Sequence, residues 1–294
     1  MAFEKAKREK VFVKILLFSP SGGGKSYSAL RLATGMAKKC NSKIAYIGTE
    51  GSRDKYYANE FDYDLCQLDD YSITSYIDAI EDAIDNGYKI LIIDSISPEW
   101  QWLNDQHDKM TGNSFTNWGK LKPKHRKFME TILQSDIHII ACARGKTEWT
   151  LEEQNGKQVP KKLGMGATQD KDISFDYTVS FQLDQSTHNA TVDKDNTHIF
   201  EDRIDVLTEK DGEALMEWAN TGDAPIKKEK TKVKIDFDKN EKLKIIIQEK
   251  MTNLENNDIK KEVINYMKKN NIVNFKDVSE IPTEYMEYIV SLLS

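Results

Sequence analysis

An α/β fold is what this 294-residue sequence predicts: a mostly parallel sheet covered on both faces, with an antiparallel extension and a small helical domain after it. Three observations carry that expectation. Continuous apolar runs such as VFVKILLF and KILIID read as strands buried on both faces. Stretches with apolar residues three and four apart alternate with them, as in a sheet whose crossovers are helices. Beyond a lysine-rich stretch, three further amphipathic segments follow with no strand between them.

Val11 to Phe18 is the first strand, and Ser26 to Lys38 follows with helical spacing at Leu30, Ala33 and Met36. KIAYIGTE, ending at Glu50, is the second strand. SITSYIDAIEDAIDNG sets Ile73, Tyr76, Ile77, Ile80 and Ile84 on one helical face, and Gly87 behind it is the expected left-handed C-cap. Residues 89 to 97 (KILIIDSIS) make the third strand, KFMETILQS a helix, and DIHIIACA the fourth strand. The pattern then changes: Asn155-Gly156 is a strong hairpin signal, and SFDYTVSFQLD and HNATVDKD read as strands of the extension.

The chain divides by composition. Residues 1–223 carry a net charge of −8 and residues 224–294 a net charge of +2. Residues 224–240, with Lys227, Lys228, Lys230, Lys232 and Lys234 and few large apolar groups, read as an exposed basic linker. Residues 241–294 form the helical domain, with stripes at Leu243, Ile246 and Ile247, at Ile259, Val263 and Tyr266, and at Met286, Ile289, Val290 and Leu293.

Composition narrows the function classes. No segment approaches the roughly 18 consecutive apolar residues of a membrane span, and the charged start MAFEKAKREK is unlike a signal peptide, so a cytoplasmic protein is expected. Cys40, Cys66 and Cys142 have no metal-site spacing, which suits a reducing compartment. A net charge of −6 gives no global field for nucleic acid, leaving local basic patches to do any such binding.

Between the first strand and first helix stands Ser19 to Ser26, SPSGGGKS. Glycines here let backbone N–H groups turn inward, the helix adds its positive end, and a lysine reaches the outer phosphates. The P-loop pattern is G-x-x-x-x-G-K-[ST], and Ser19 replaces its first glycine. Ser21, Gly22, Gly23, Gly24, Lys25, Ser26 and Tyr27 are therefore the candidate ATP-binding residues, with Ser26 for Mg²⁺. Asp94, closing ILIID, is the acidic partner such a site needs for its metal. Ser95 follows it, so an adjacent glutamate is not available as base, and Glu50 at the end of the second strand is the candidate. Position alone does not separate that role from a surface glutamate. The guanine motif N-K-x-D is absent, and so are the protein-kinase motifs H-R-D and D-F-G.

YIGTEGSRDKYYA, residues 46 to 58, resembles the RecA recombinase segment in which a strand ends in Glu, with Asp four and Tyr seven residues on. With SPSGGGKSYSAL, ILIIDSIS and ACARGKTEW, residues 10 to 222 resemble the short, core-only RecA-like ATPases of phages, some of which are single-strand annealing recombinases. The resemblance implies a RecA-like core, Glu50 as catalytic glutamate, Asp54 and Tyr57 flanking adenine, and a working place in a host cytoplasm. It implies a homo-oligomer, ring or filament, and single-stranded DNA as partner; the C-terminal helices are left with DNA, a single-strand-binding protein or another subunit as what they could hold. Only about ten residues precede the first strand, fewer than the oligomerisation element of RecA. Where RecA ends its fourth strand in a phosphate-sensing Asn-Gln, this chain has Ala143-Arg144, and Arg144 is either a phosphate sensor or half of a strand-end ion pair. Lys194 lies near the place from which RecA reaches a neighbour's nucleotide, although its own setting reads first as a solvated hairpin lysine.

RecA-type proteins hold DNA with loops after the third and fourth strands. TGNSFTNWGKLKPKHRK mixes Phe115 and Trp118 with Lys120, Lys122, Lys124, Arg126 and Lys127, a recipe for sequence-tolerant single-strand binding, or else a helix start with solvated lysines. The second region, residues 145 to 172, offers Lys161 and Lys162. The leading expectation is a DNA-dependent, Mg²⁺-assisted ATPase that anneals or exchanges single strands. A helicase or helicase loader on the same fold, a nucleotide-gated DNA-binding protein with vestigial hydrolysis, and more weakly a small-molecule kinase, are the competing readings.

Overall fold

The computed structural model describes residues 5–154, 157–169, 173–223, 237–254, 257–270, 272, 274, 275, 278 and 281–293, and of residues 147–165, 237, 238 and 257 only the backbone. The Asn155-Gly156 turn, residues 224–236 of the expected linker, and the side chains of Lys161 and Lys162 lie outside the described residues.

The chain runs through β1 (Lys14–Ser19), α1 (Lys25–Cys40), β2 (Ile44–Gly48), a 3-10 turn (Gly51–Lys55), β3 (Asp64–Gln67), α2 (Ile73–Asp85) and β4 (Ile90–Asp94). It continues with α3 (Ser97–Lys109), α4 (Ser114–Gln134), β5 (His138–Gln154), β6 (Lys157–Ala167), α5 (Ile173–Asp176), β7 (Val179–Leu183), β8 (Ala190–Asp195), β9 (Ile204–Asp205) and α6 (Glu209–Ala219). Helices α7 (Phe237–Asn253), α8 (Asn257–Lys269) and α9 (Thr283–Leu292) follow. The sheet order is β3-β2-β4-β5-β1-β7-β8-β9, with β6 paired to β5 alone. All pairs from β3 to β7 are parallel, and β8 and β9 are antiparallel. β1, β2 and β4 are buried at every position, as continuous apolar runs require. The expected RecA-like α/β core is what this strand order builds, with β5 between the glycine-turn strand β1 and the acidic strand β4.

The structure departs from the sequence reading in three places. β7 pairs in parallel with β1, and α5 takes residues 173–176, so SFDYTVSFQLD is partly helical and its strand belongs to the parallel sheet. β5 runs unbroken to Gln154 and continues past the sheet into the β5–β6 hairpin. The basic stretch from residue 111 is not a loop: α4 starts at Ser114, its N–H groups capped by the Asn113 side chain, and it carries Pro123 inside it. Gly87 takes the left-handed conformation (φ 81°) expected behind α2.

Two compact units emerge, residues 1–117 with 128–226, and residues 118–127 with 227–294. The second has its own core of Ile247, Val263, Val278, Met286 and Ile289, with the Asn240 amide donating to the carbonyls of Val278 and Ile281. Among the described residues no helix is long and apolar enough to cross a membrane.

In the first unit α1 and α6 cross with backbone almost touching backbone. A Cβ built on Gly35 would lie 1.8 Å from the Glu209 carbonyl oxygen, and one on Gly212 would lie 2.1 Å from that of Leu32. Arg31 pairs in two-pronged fashion with Glu209, and Lys38 and Lys39 pair with Glu213 and Glu217. At the opposite end of the sheet from the glycine turn, Lys14 is buried with its ammonium on the carbonyls of Ser135 and Ile137. Burial lowers its pKa to about 7, against the pull of Asp136.

Gly35→Ala is expected to lower stability by about 2–3 kcal/mol, because backbone must move to admit the methyl, whereas Gly119→Ala, with open space around it in α4, is expected to be neutral or mildly stabilising; urea midpoints of the two variants read the contrast. Lys14 gives a pH signature. Its folded pKa lies below the unfolded 10.5, so above about pH 7 the unfolded chain holds the extra proton and stability gains as pH rises. The stability of the parent relative to Lys14→Met should therefore grow by about 1–2 kcal/mol from pH 7 to 9, and a difference that stays flat would show that Lys14 remains charged in the fold.

Candidate nucleotide site

The register of the parallel strands brings the site together. Ser19 pairs with Arg144, Cys142 with Asp94, and Asp94 with Gly48, so β1, β5, β4 and β2 end along one edge. A cavity of about 650 Å³ opens above that edge, lined by P-loop residues and by Glu50, Asp94 and Arg144 among others.

The loop itself explains the serine at its first position. Ser19 is fully buried, and its hydroxyl donates to the Pro20 carbonyl at 3.0 Å. A Cβ on Gly23 would lie 2.3 Å from that hydroxyl oxygen, so the serine occupies space that the second glycine of the turn leaves free. Gly22 and Gly24 both have φ of 81°, where only glycine sits without strain. The Lys25 ammonium folds back onto the carbonyls of Ser19 (3.1 Å) and Pro20 (3.0 Å), each a partner that an anion can replace.

Asp94 is buried at the end of β4 and accepts a hydrogen bond from Tyr46 at 2.8 Å. Burial raises its pKa, while hydroxyl groups of Ser26 and Tyr46 and the charge of Lys25 oppose the rise. A buried carboxylate beside the Ser26 hydroxyl is the donor set that a hard cation favours, so the residues present fit Mg²⁺. Burial and Asp94 together push the Tyr46 hydroxyl far up, keeping it a neutral donor.

Glu50 follows β2 and is set by its backbone. Thr49 N–H donates to the Asp94 carbonyl at 2.9 Å, and Ser95 N–H donates to the Thr49 hydroxyl at 2.9 Å, tying the two strand ends together. The Glu50 carboxylate faces the cavity and is shared by two guanidinium groups, Arg144 at 3.1 Å and Arg53 at 3.5 Å. Arg144 thus forms the strand-end ion pair.

Asp54 does not flank the cavity as the resemblance implied. Its carboxylate turns inward, 5% exposed, and accepts the Glu50 N–H at 3.1 and 3.3 Å beneath Gly48, where a Cβ would lie 2.3 Å from it. Burial raises its pKa to about 6 despite that backbone bond. Tyr57 does line the cavity, edge-on to Tyr27 at 5.2 Å.

Several cavity residues escaped the sequence reading. Tyr56 and Arg53 follow Glu50 in the 3-10 turn region, Val206 and Leu207 come from the segment before α6, and His188 from the β7–β8 turn. Arg53 and Tyr56 lie inside YIGTEGSRDKYYA but at positions to which the resemblance gives no role, and Val206, Leu207 and His188 belong to no motif. Lys194 is placed elsewhere. It pairs with Ser180 near the start of β7, at the sheet end away from the P-loop, and its ammonium donates to the Phe175 carbonyl. It cannot reach its own chain's nucleotide.

Of the residues proposed for DNA, Phe115 is 88% exposed, Lys120, Lys122 and Arg126 are exposed, and Trp118 and Lys124 are half-buried. All six lie on α4, and Trp118 is therefore no open stacking platform. The backbone at the root of the β5–β6 hairpin is fastened to the site: Arg144 N–H donates to the Ser97 hydroxyl at 2.8 Å, and the Gln169 amide donates to the Ile96 carbonyl at 2.6 Å.

A family model described as an AAA domain matches residues 12–204, a span that holds β1 through the first residue of β9 and every P-loop residue. Among solved structures, a KaiC-like protein from the hyperthermophilic archaeon Pyrococcus horikoshii OT3 aligns with a TM-score of 0.37 and 15% identity, covering 63% of this chain and 79% of that one. No curated protein matches the sequence.

Ser19 and Gly23 should be energetically coupled. Gly23→Ala is expected to lower the melting temperature by several degrees, since a clash of this kind costs about 1–3 kcal/mol, and Ser19→Gly in the same chain should restore most of the loss. Thermal unfolding of the two single variants and the double variant measures the coupling, and strict additivity would refute it.

Proposed function

This chain belongs to the AAA domain family, and on that footing we propose that it is an ATP-dependent DNA recombinase of the phage type, which binds single-stranded DNA and promotes annealing or exchange while hydrolysing ATP. The observation that carries the catalytic part is the gathering of Lys25, Asp94, Glu50 and Arg144 around one cavity on a RecA-like core.

In this reading the phosphates of ATP take the Lys25 ammonium from the Ser19 and Pro20 carbonyls and rest on the amides from Gly22 to Ser26. Ser26 and Asp94 would hold Mg²⁺, which when bound neutralises charge on the outer phosphates. Arg144 exchanges the Glu50 carboxylate for the γ-phosphate. Glu50, released on that side and still anchored through its N–H by Asp54, then accepts a hydrogen bond from the attacking water and orients it. Tyr57 and Tyr27, together with Val206 and Leu207 that line the same cavity, would enclose the adenine.

DNA binding is supported by the exposed cations of α4 and by Phe115, which an aqueous surface gives no reason to expose. Hydrolysis and DNA would communicate through the root of the β5–β6 hairpin, because Arg144 stands immediately before its first paired residue, Gly145. Assembly into a homo-oligomer would give Lys194 a neighbour's nucleotide as its only possible target. A single-strand-binding protein is the further partner, and the host cytoplasm the working place.

Turnover of ATP with and without single-stranded DNA, run beside annealing of complementary oligonucleotides, tests this. Lys25→Ala should lose binding and turnover together. Glu50→Gln should keep ATP binding and lose turnover by about 10²-fold or more. Single strands should raise parent turnover and be annealed by it. If they neither bind nor change turnover, the recombinase reading falls and an ATPase of another role remains.

A further inference from the structure

The wall of the cavity opposite Arg144 is made by a turn that no motif marks. Arg144, Asp94 and Glu50 come from β5, β4 and β2, on one side of β1, whereas β7 is the neighbour of β1 on the other side. The β7–β8 turn, Asp184 to Asn189, therefore meets the P-loop from across the site. Gln185 fastens it there, donating its amide to the Ser21 carbonyl at 2.8 Å. The turn is over-determined: the Asp184 carboxylate accepts the N–H and hydroxyl of both Ser186 and Thr187, and His188 N–H donates to the Asp184 carbonyl at 3.0 Å. These bonds hold His188 in a left-handed conformation, φ 59°. Its ring is thereby set against the last glycine of the loop, where a Cβ built on Gly24 would lie 3.2 Å from Nδ1, and it faces the cavity.

We propose that His188 is a nucleotide-binding residue, its ring donating a hydrogen bond to the phosphates nearest the nucleoside and so recognising the part that ADP and ATP share. The inference rests on the reading of this cavity as a nucleotide site. Three observations place the contact at the shared end. The γ-phosphate machinery occupies the opposite side of β1. His188 abuts Gly24, the residue that opens α1 and presents the first free N–H groups of the helix to an anion. Beyond it on the same wall come Val206 and Leu207, an apolar surface that suits a sugar and base rather than a terminal phosphate. An imidazole at that junction is a donor in either protonation state, because a neutral ring keeps one N–H.

Equilibrium binding of ADP and of ATP, each with Mg²⁺, to the full chain tests the assignment with two variants that accept the left-handed backbone. His188→Gly removes the ring without straining the turn, and His188→Asn keeps a donor and tolerates the same conformation. His188→Gly is expected to weaken ADP and ATP alike by about tenfold, as for one hydrogen bond to a charged group. His188→Asn should recover most of that loss, and thermal unfolding of both should match the parent. Parent-like affinity in a folded His188→Gly protein would overturn the contact while leaving the nucleotide site intact. Loss of ATP binding with ADP unchanged would overturn its placement. Failure of the parent to bind either nucleotide, with Lys25→Ala no different, would overturn the site and this contact with it.

Discussion

The parallel register of β1, β5, β4 and β2 is the constraint from which the site follows. Backbone hydrogen bonds that match Ser19 to Arg144, Cys142 to Asp94 and Asp94 to Gly48 leave four strands ending at one level. A slip of one residue in any of them would exchange the buried and facing sides of that strand. Full burial on both faces makes such a slip expensive, because every side chain of β1, β2 and β4 is already in the core. The chemistry at the edge is therefore placed by hydrophobic packing well below it. The α1–α6 crossing serves the same end by fixing α1, whose first turn closes the P-loop.

Placement alone would leave charged groups pointing into water, and a second layer of hydrogen bonds turns it into a site. Thr49 ties the end of β2 to the end of β4, and Asp54 takes the N–H of Glu50 from below. Asp54 is a costly device, since burial raises its pKa to about 6. As an acid with a raised pKa, it adds stability that is lost as pH climbs from the ordinary carboxylate range through about 6. Its placement beside Gly48 shows what the expense secures: a fixed backbone under the Glu50 carboxylate that lines the cavity.

Much of this was legible in the sequence because strand burial and the glycine turn leave direct marks on it. Continuous apolar runs located β1, β2, β4 and the start of β5 within a few residues, and each charged group at the end of a run then fell on the same edge. Asp54 was misplaced for a physical reason: a carboxylate four residues after Glu50 has the same spacing whether it turns out toward a base or in toward an N–H, and burial decides which. Pro123 hid the continuity of α4, because proline inside a helix forfeits a backbone hydrogen bond and reads as a break. The parallel pairing of β7 with β1 could not be read from β7 alone, since five residues, four of them buried, suit either direction.

Each charge of the site holds a local partner that a nucleotide can displace. Lys25 rests on two carbonyls of its own loop, Glu50 lies between Arg144 and Arg53, and Asp94 accepts from Tyr46. The site is thus folded and electrostatically satisfied without ligand, and no uncompensated charge is left to distort the sheet. Such an arrangement trades affinity for discrimination. A ligand that enters the cavity must replace several contacts at once. The Glu50–Arg144 pair is the part of this exchange with structural reach. Its carboxylate is anchored to the β2–β4 edge, and its guanidinium belongs to the residue just before the β5–β6 hairpin begins at Gly145, held by backbone to Ser97. Breaking that pair removes one of the contacts that hold the residue at the root of the hairpin, while its backbone bond to Ser97 remains.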